Sequence, residues 1–202
     1  MNKFIAFEGL DACGKTTLSS LFAKEKKAVV HSAVVVEAQE LRNIIDSYQS
    51  KESALLFFLL NNFLKSHEIS GGLESGDVIL DRYIFSTLAY QTIMLEEDTV
   101  KKIFDALNIA KKIILPDVIV FVKADAETIN SRIAARNGTV QWYGDAVTQN
   151  NCVETAYKKI FQWFNIPIVE IDTSEKCDMS EEENYQLMKD RIDCVLSGGS
   201  NS

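Results

Sequence analysis

The chain has 202 residues, of which 47% are hydrophobic and 25% are charged, and its formal net charge is −8. This size suits one domain with a full core, and the acidic balance argues against a nucleic-acid polymer or an anionic membrane as partner. The sequence starts without a secretion signal, and its longest apolar run, residues 54–60, is too short to span a bilayer. We therefore expect a cytoplasmic protein.

The first predicted elements are a strand at residues 4–7 and a helix at residues 15–26, and the loop between them has a phosphate-binding pattern. From Gly9 to Thr16 the sequence is GLDACGKT, which satisfies G-x-x-x-x-G-K-[ST]. In this strand, loop and helix order, backbone N–H groups and the positive end of the helix dipole bind phosphate oxygens. The motif therefore predicts a site for the phosphates of a nucleotide.

Two side chains of this loop have the chemistry that such a site requires. The Lys15 ammonium is expected to reach the β- and γ-phosphates, and the Thr16 hydroxyl is expected to bind a magnesium ion that bridges them. The predicted phosphate-binding residues are Gly9, Leu10, Asp11, Ala12, Cys13, Gly14, Lys15, Thr16 and Thr17.

The rest of the chain alternates short apolar runs with segments of helical periodicity. The predicted later strands are residues 34–36, within an apolar stretch at 28–36, and residues 77–81, 118–122 and 166–171. The predicted later helices are residues 40–48, 52–69, 86–95, 99–112, 126–136, 153–164 and 181–196. This alternation indicates an α/β fold with a five-stranded parallel sheet and helices on both faces.

Several residues are predicted to mark the ends of these elements. Ser50 and Ser53 are candidate caps before the helix at 52–69, and Gly71, Gly72 and Gly76 are expected to end it.

Two segments are predicted to lie outside the regular elements. Residues 137–151 are polar and lack periodicity, which is typical of a mobile loop over a site, and we predict a lid there. Residues 197–202 are predicted to form a frayed tail. Because no repeat or linker is evident, residues 1–196 are interpreted as a single domain.

Asp81 and Arg82 directly follow the predicted strand at residues 77–81. Ligands of parallel sheets bind at the carboxyl ends of the strands, so we expect these side chains near residues 9–16. The carboxylate could bind magnesium through water or orient an attacking group, and the guanidinium offers bidentate donors to a phosphate. The alternative is a helix cap with a surface ion pair.

The run from Asp81 to Gln91, DRYIFSTLAYQ, matches the pattern D-R-[YH]-x-x-S-x-x-A-[YF]-Q and resembles the signature of the thymidylate kinase family of P-loop nucleoside monophosphate kinases. Residues 7–11, 115–117 and 171–174 resemble further segments of that family in the same order. The resemblance implies a P-loop NTPase fold, a homodimer, and transfer of the ATP γ-phosphoryl group to a deoxynucleoside monophosphate, foremost dTMP to dTDP.

The resemblance also implies roles for individual residues. ATP would contact residues 9–17 and Arg132, and magnesium would be held by Thr16 and Asp81. The catalytic residues would be Lys15, Asp81, Arg82, Asp11 and Arg136. The acceptor nucleotide would contact Arg42, Phe58, Asn62, Arg82, Ser86, Tyr90 and Gln91.

Some of these residues also fit a purely structural role. Phe58 would stack on the base in the family, but it and Tyr90 also fit the core of an apolar helix. Asp11 could orient the acceptor or brace the loop. Arg132 and Arg136, four residues apart, could replace a missing catalytic arginine or form a solvated helix face.

Three departures from the family pattern leave the acceptor open. Residues 36–40 lack the usual Arg-Glu-Pro-Gly-like segment, and Asn62 stands where the family has an arginine that donates to thymine O4. Neither the loop, with Ala12 and Cys13, nor residues 141–143 of the lid contain the usual catalytic arginine. The alternatives are therefore a P-loop kinase for another nucleotide or small metabolite, or an ATP-binding regulator with little turnover.

Overall fold

The computed structural model describes residues 1–135 and 146–198 of the chain. Within these residues the chain forms five β-strands and eight α-helices, with one or two helices between successive strands. The strands are β1 Phe4–Gly9, β2 Val29–His31, β3 Val78–Asp81, β4 Val118–Lys123 and β5 Ile168–Asp172. The helices are α1 Lys15–Lys26, α2 Gln39–Tyr48, α3 Lys51–Ser75, α4 Ile84–Met94, α5 Glu97–Ala106, α6 Ala126–Ala135, α7 Ala146–Phe161 and α8 Glu181–Leu196.

The five strands form one parallel sheet in the order β2-β3-β1-β4-β5. Every residue of the central strand β1 is buried, as are five of the six residues of β4. Strands that are apolar along their whole length belong in a sheet covered on both faces. The predicted five-stranded parallel sheet is therefore confirmed.

Two groups of helices cover this sheet. Helix α1 contacts β1 and β3, α8 contacts β4 and β5, and the two helices contact each other. The second group consists of α3, which contacts β2 and β3, α4, which contacts β1, and α7, which packs on α4. The prediction of helices on both faces is confirmed. Within the described ranges no helix is both long and apolar enough to cross a bilayer.

The second strand lies earlier than predicted. We expected it at residues 34–36, but β2 is Val29–His31 and pairs only with β3. Val35 is buried in the following loop and Val36 is exposed. β-branched residues favour a strand only where a neighbouring strand pairs with them, and among the described strands none lies beside residues 34–36.

Helix α3 continues beyond the two glycines that were expected to end it. Gly71 and Gly72 lie inside α3, and Gly76 follows its last residue. A Cβ on Gly72 would lie 2.7 Å from Val78 Cγ2, so this glycine lets the helix approach the sheet closely. At the other end only Ser50 is a cap, and its hydroxyl accepts a hydrogen bond from the Ser53 N–H at 3.2 Å.

Two further boundaries differ from the prediction. The helix expected at residues 99–112 is α5, which ends at Ala106, and a short 3-10 turn at Ile109–Lys111 follows Asn108, whose φ is 52°. The lid was predicted at residues 137–151, but residues 146–151 are the first part of α7. Polar residues do not interrupt a helix unless glycine or proline intervenes, and none is present there. Residues 136–145 lie outside the described residues.

Candidate active site

The loop between β1 and α1 adopts a backbone that requires glycine at two positions. Gly9 has a φ of 144°, and a Cβ added to it would lie 2.0 Å from the carbonyl oxygen of Val122. Gly14, the residue before α1, has a φ of 87°. The first turn of α1, all of it described, contains no acidic residue. The amino-terminal end of the helix dipole therefore faces the loop without a neighbouring carboxylate from that turn, which fits an anion site.

Two apolar side chains of the loop point into the core. Leu10 and Cys13 are buried, and the Cys13 thiol donates a hydrogen bond to the Leu10 carbonyl at 3.0 Å. Burial raises the pKa of the Cys13 thiol, which keeps it protonated. These side chains fix the shape of the loop, so a ligand would meet their backbone groups.

The carboxylate at the end of β3 contacts the start of α1. Thr16 Oγ1 donates a hydrogen bond to Asp81 Oδ2 at 2.7 Å, and Lys15 Nζ lies 3.2 Å from Asp81 Oδ1. The Lys15 side chain is only 7% exposed. The expectation that Asp81 and the loop meet at one edge of the sheet is confirmed, because β3 and β1 are neighbours that end on the same side.

Thr16 and Asp81 have the chemistry of a partial magnesium site. Mg²⁺ prefers oxygen ligands, keeps several waters, and is usually held by one or two carboxylates together with substrate phosphates. Asp81 Oδ1 is buried and makes no hydrogen bond within the described residues, although the Lys15 ammonium is close. A hydroxyl and a carboxylate oxygen beside the phosphate loop therefore fit this ion.

Arg82 joins the loop to the start of α4. Its φ is 72°, a left-handed conformation, and its N–H donates to the Phe7 carbonyl at 2.9 Å. Its guanidinium forms an ion pair with the Asp11 carboxylate and donates to Ser86 Oγ at 3.2 Å. The guanidinium carbon also lies 5.4 Å from the centre of the Tyr90 ring. The charged group is therefore oriented from three sides.

Glu8, the second-last residue of the buried strand β1, was not assigned a role from the sequence. Its side chain is fully buried and accepts hydrogen bonds from the Tyr83 N–H at 2.8 Å, from Tyr157 OH at 3.1 Å and from the Ser86 hydroxyl. Burial raises the pKa of Glu8 from 4.5 to about 7, although these hydrogen bonds and Arg82 oppose the rise. In the sequence Glu8 lies within residues 7–11, one of the segments that resemble the family, but the resemblance did not attach a role to it.

A cavity of about 240 Å³ opens beside Arg82. All seven residues that the sequence predicted for the acceptor line it, together with Asp11. These residues are Arg42, Phe58, Asn62, Arg82, Ser86, Tyr90 and Gln91. The sequence did not identify the other lining residues, which are Ala33, Val34, Asn61, Tyr83 and Thr87. The cavity is thus formed by segments that are far apart in the chain.

An aromatic ring and a second cation meet on one wall of the cavity. Phe58 of α3 is half-buried, and the guanidinium carbon of Arg42 on α2 lies 4.6 Å from the centre of its ring. Arg42 Nε also donates to Asp46 at 2.6 Å. Arg42 and Arg82 both line the cavity, so it can receive an anionic ligand.

Amide side chains form the deep part of the cavity. Asn62 is 2% exposed, and its nitrogen donates to the Phe58 carbonyl at 2.7 Å and to Thr87 Oγ1 at 2.8 Å. Because a backbone carbonyl can only accept, the nitrogen must face it, which leaves Asn62 Oδ1 for a ligand. Gln91 is 1% exposed, and its Oε1 has no hydrogen-bond partner within the described residues.

A further amide holds the loop that forms the opposite wall. Asn61 Oδ1 accepts from the Val35 N–H at 3.0 Å, and Asn61 Nδ2 donates to the Ala33 carbonyl at 2.9 Å. Ala33 and Val34 line the cavity, so α3 fixes this wall through one side chain.

Arg132 of α6 lies against the rim of the phosphate loop. It donates to the Thr173 carbonyl at 2.8 Å, to Thr173 Oγ1 at 3.1 Å and to the Ala12 carbonyl at 3.4 Å. Thr173 Oγ1 in turn donates to the Cys13 carbonyl at 2.7 Å. The turn after β5 and the loop are therefore held together. Arg136, also predicted here, lies outside the described residues.

Comparison with known proteins places this arrangement in context. A family model described as "Thymidylate kinase" matches residues 7–184 of the chain. The probable thymidylate kinase of Thermoplasma volcanium is 31% identical over 201 residues, which cover 94% of this chain and 98% of that relative.

Two solved structures show a similar fold. A deoxyadenosine kinase from M. mycoides has a TM-score of 0.69 at 14% identity, covering 94% of this chain and 98% of that chain. A thymidylate kinase from Candida albicans has a TM-score of 0.68 at 20% identity, covering 100% of this chain and 96% of that chain. At these identities the similarity shows a shared fold and nothing further.

Proposed function

The chain belongs to the thymidylate kinase family, and from this premise we propose that it transfers the γ-phosphoryl group of ATP to dTMP, with dTDP and ADP as products. The observation that supports this most is the ion pair between Asp11 of the phosphate loop and Arg82 of the cavity. A donor on the loop and an acceptor phosphate beside Arg82 would be neighbours. Such closeness is what in-line phosphoryl transfer needs.

In this proposal the two sides of the site have different tasks. The Lys15 ammonium and the first amides of α1 hold and neutralise the donor phosphates. Arg82 binds the acceptor phosphate with its planar donors, and Arg42 supplies a second positive charge across the cavity. Asp11 keeps the Arg82 guanidinium turned toward the loop.

The remaining predicted groups complete the donor side. Magnesium, held by Thr16 and Asp81, would neutralise charge on the β- and γ-oxygens when bound. Arg132 is proposed to contact ATP at the rim of the loop, where the carbonyl of Thr173 fixes its guanidinium. A catalytic role for Arg136 stays a prediction.

Asn62 is the residue that bears most directly on which base the acceptor carries. Thymine presents the O4 acceptor at the position where cytosine presents the N4 amino donor. Asn62 Oδ1, for which the described residues supply no donor, is an acceptor, which favours an amino group over a carbonyl there. A second candidate function is therefore the same transfer to a monophosphate whose base has an amino group, such as dCMP.

A coupled assay of ADP release tests both candidates. Wild-type protein with ATP and magnesium would be given dTMP, dUMP, dCMP, dGMP and dAMP in turn, with Lys15→Ala as the inactive control. Selective turnover of dTMP supports the first proposal, and selective turnover of dCMP supports the second. ATP binding without turnover of any acceptor would favour the ATP-binding regulator instead.

The homodimer also belongs to this proposal and rests on the resemblance to the family. Helix α3 exposes Leu56, Leu60 and Leu64 in a stripe at helical spacing, which suits burial against a second copy. Sedimentation velocity at micromolar concentration tests it, since a monomeric wild-type protein would contradict it. The cytoplasmic location stays a prediction from the sequence.

A further inference from the structure

The buried carboxyl of Glu8 lies between the two halves of the site. Its neighbours in the chain are Phe7, whose carbonyl accepts the Arg82 N–H, and Gly9, the first residue of the phosphate loop. Glu8 itself contacts Tyr83 and Ser86 at the start of α4 and Tyr157 of α7. The start of α4 and helix α7 therefore converge on one carboxyl of β1 that does not itself line the cavity.

The two hydroxyls on Glu8 also contact Arg82. Arg82 Nη1 donates to Ser86 Oγ at 3.2 Å and to Tyr157 OH at 3.4 Å, and these two hydroxyl oxygens lie 2.6 Å apart. We call Glu8, Ser86, Tyr157 and Arg82 the Glu8 network. An arginine can only donate hydrogen bonds, so both hydroxyls must accept from it.

An ionised Glu8 determines the direction of these hydrogen bonds. The carboxylate has no hydrogen, so Ser86 and Tyr157 direct their hydrogens toward Glu8 Oε2, toward each other or, for Tyr157, toward the Gly9 carbonyl at 3.5 Å. In each case the lone pairs of both hydroxyls remain available to Arg82. The carboxylate thus makes Ser86 and Tyr157 into acceptors at the point where the guanidinium donates.

We propose that Glu8 is a positioning residue that fixes the Arg82 guanidinium toward the acceptor phosphate by orienting the Ser86 and Tyr157 hydroxyls. This inference rests on the proposed function, because it assigns Arg82 to the acceptor. It extends that function by a residue outside the cavity. It also gives Tyr157, 75 residues from Arg82 in sequence, a part in the geometry of the site.

The network predicts a specific effect of Glu8→Gln. The Tyr83 N–H faces Glu8 Oε1 and can only donate, so the amide oxygen of glutamine must take that place. The amide NH₂ group then faces Ser86 and Tyr157 and forces both hydroxyls to accept from it. The hydrogens of both hydroxyls then point away from residue 8, toward the N–H groups of Arg82 or, for Tyr157, toward the Gly9 carbonyl at 3.5 Å. A substitution of nearly equal volume thus reverses the polarity of the network.

The test combines ligand binding with nuclear magnetic resonance. Calorimetry at pH 8, above the Glu8 pKa of about 7, would measure the affinity for dTMP and for ATP in wild type, Glu8→Gln, Tyr157→Phe and the double variant. The guanidinium nitrogen resonances of Arg82, assigned by their loss in Arg82→Lys, would report its hydrogen bonding without any ligand. Tyr185→Phe is the matched control, since Tyr185 also donates to a glutamate, Glu25, but between α1 and α8.

We expect Glu8→Gln to shift the Arg82 resonances and to weaken dTMP binding about tenfold, with ATP affinity unchanged. Tyr157→Phe should have a smaller effect, and the double variant should bind dTMP no more weakly than Glu8→Gln alone, because both act through one network. Tyr185→Phe should change neither readout. If Glu8→Gln does not fold, Tyr157→Phe and Ser86→Ala must shift the Arg82 resonances.

Two results separate this inference from the proposed function. Unchanged Arg82 resonances in every folded variant of the network would overturn the positioning role, even if dTMP is the acceptor. The second result is a wild type that neither binds nor phosphorylates dTMP, together with network variants that still shift the Arg82 resonances. It would support the positioning role and refute dTMP as the substrate.

Discussion

The donor side and the acceptor side of the site are built in different ways. The donor side is one continuous stretch, the loop from Gly9 to Gly14 and the first turn of α1, and its shape comes from backbone conformation and buried apolar side chains. The acceptor cavity is lined by residues from the loop after β2, from α2, α3 and α4, from the turn before α4, and by Asp11 of the phosphate loop. A contiguous backbone site tolerates little variation, whereas a cavity of separate side chains can change its ligand by single substitutions.

The largest expected effect is on the donor side. Lys15→Ala removes the ammonium that lies against Asp81 beside the loop, and we expect turnover to fall about 10³-fold with folding intact. Steady-state kinetics together with circular dichroism would measure both. Activity close to wild type would contradict the assignment of the phosphate loop. Lys24→Ala on the same helix is the control, because that side chain is exposed and remote from the loop.

The backbone character of the donor side is tested by Gly9→Ala. The added Cβ would lie 2.0 Å from the Val122 carbonyl at a φ of 144°, so we expect a loss of about 3 kcal/mol in the free energy of unfolding. Urea denaturation would measure it. Gly71→Ala is the matched control, since apart from the neighbouring backbone of α3 no heavy atom of the described residues lies within 4 Å of its Cβ position. There the free energy of unfolding should rise by up to about 1 kcal/mol.

Glu8 links the two sides and should make stability depend on pH. Its pKa is about 7 in the folded protein against an ordinary 4.5, so the folded state holds the proton between these values. The resulting stabilisation is fully present below pH 4.5 and is lost as the pH rises through 7. Relative to Glu8→Gln, the wild type should lose up to about 3 kcal/mol of unfolding free energy over this range.

Urea denaturation at pH 5 and pH 8 would measure this difference. Glu25→Gln is the control and should leave the difference between pH 5 and pH 8 as it is in wild type, because the hydrogen bond from Lys189 lowers the pKa of Glu25 below its ordinary 4.5. Its carboxylate therefore stabilises the fold above its ordinary pKa, and that contribution is lost in acid. Equal pH dependence in wild type and Glu8→Gln would show that Glu8 is not the titrating group.

The smallest effect concerns the base and belongs to the acceptor side. Asn62→Arg replaces a buried amide by a donor-only side chain, and we expect the ratio of kcat/KM for dTMP over dCMP to rise about tenfold. Asn43→Arg on the exposed face of α2 adds the same charge outside the cavity. A ratio that does not change in Asn62→Arg would mean that residue 62 does not contact the base.

The order of elements could be predicted from the sequence because each apolar run is followed by a helical segment. The errors have physical causes. Residues 34–36 have the composition of a strand but no neighbouring strand, and the strand lies at Val29–His31 instead. Gly72 suggested a helix end, yet its missing side chain serves the close contact with Val78. Local composition does not reveal which residue will lie against another element.

The candidate site shows the same limit. The loop residues and the run from Asp81 to Gln91 could be identified because each is a continuous motif. The role of Glu8, although it lies in the quoted segment 7–11, and its partner Tyr157 could not, since their hydrogen bond joins residues 149 apart in the chain. Thr87 lay inside the quoted run but was passed over, because its contact with Asn62 requires α3 and α4 to be side by side.

The side chain of Asn61 holds one wall of the cavity through hydrogen bonds of the kind that a sixth strand would make. Residues 33–35 follow β2 in the chain. Asn61 accepts a hydrogen bond from the backbone of this segment and donates one to it, as the backbone of a paired strand would do. The wall therefore keeps its place independently of the side chain at Val34. Position 34 is open to substitutions that widen or narrow the cavity without disturbing the sheet, which makes it the natural starting point for redesigning acceptor size.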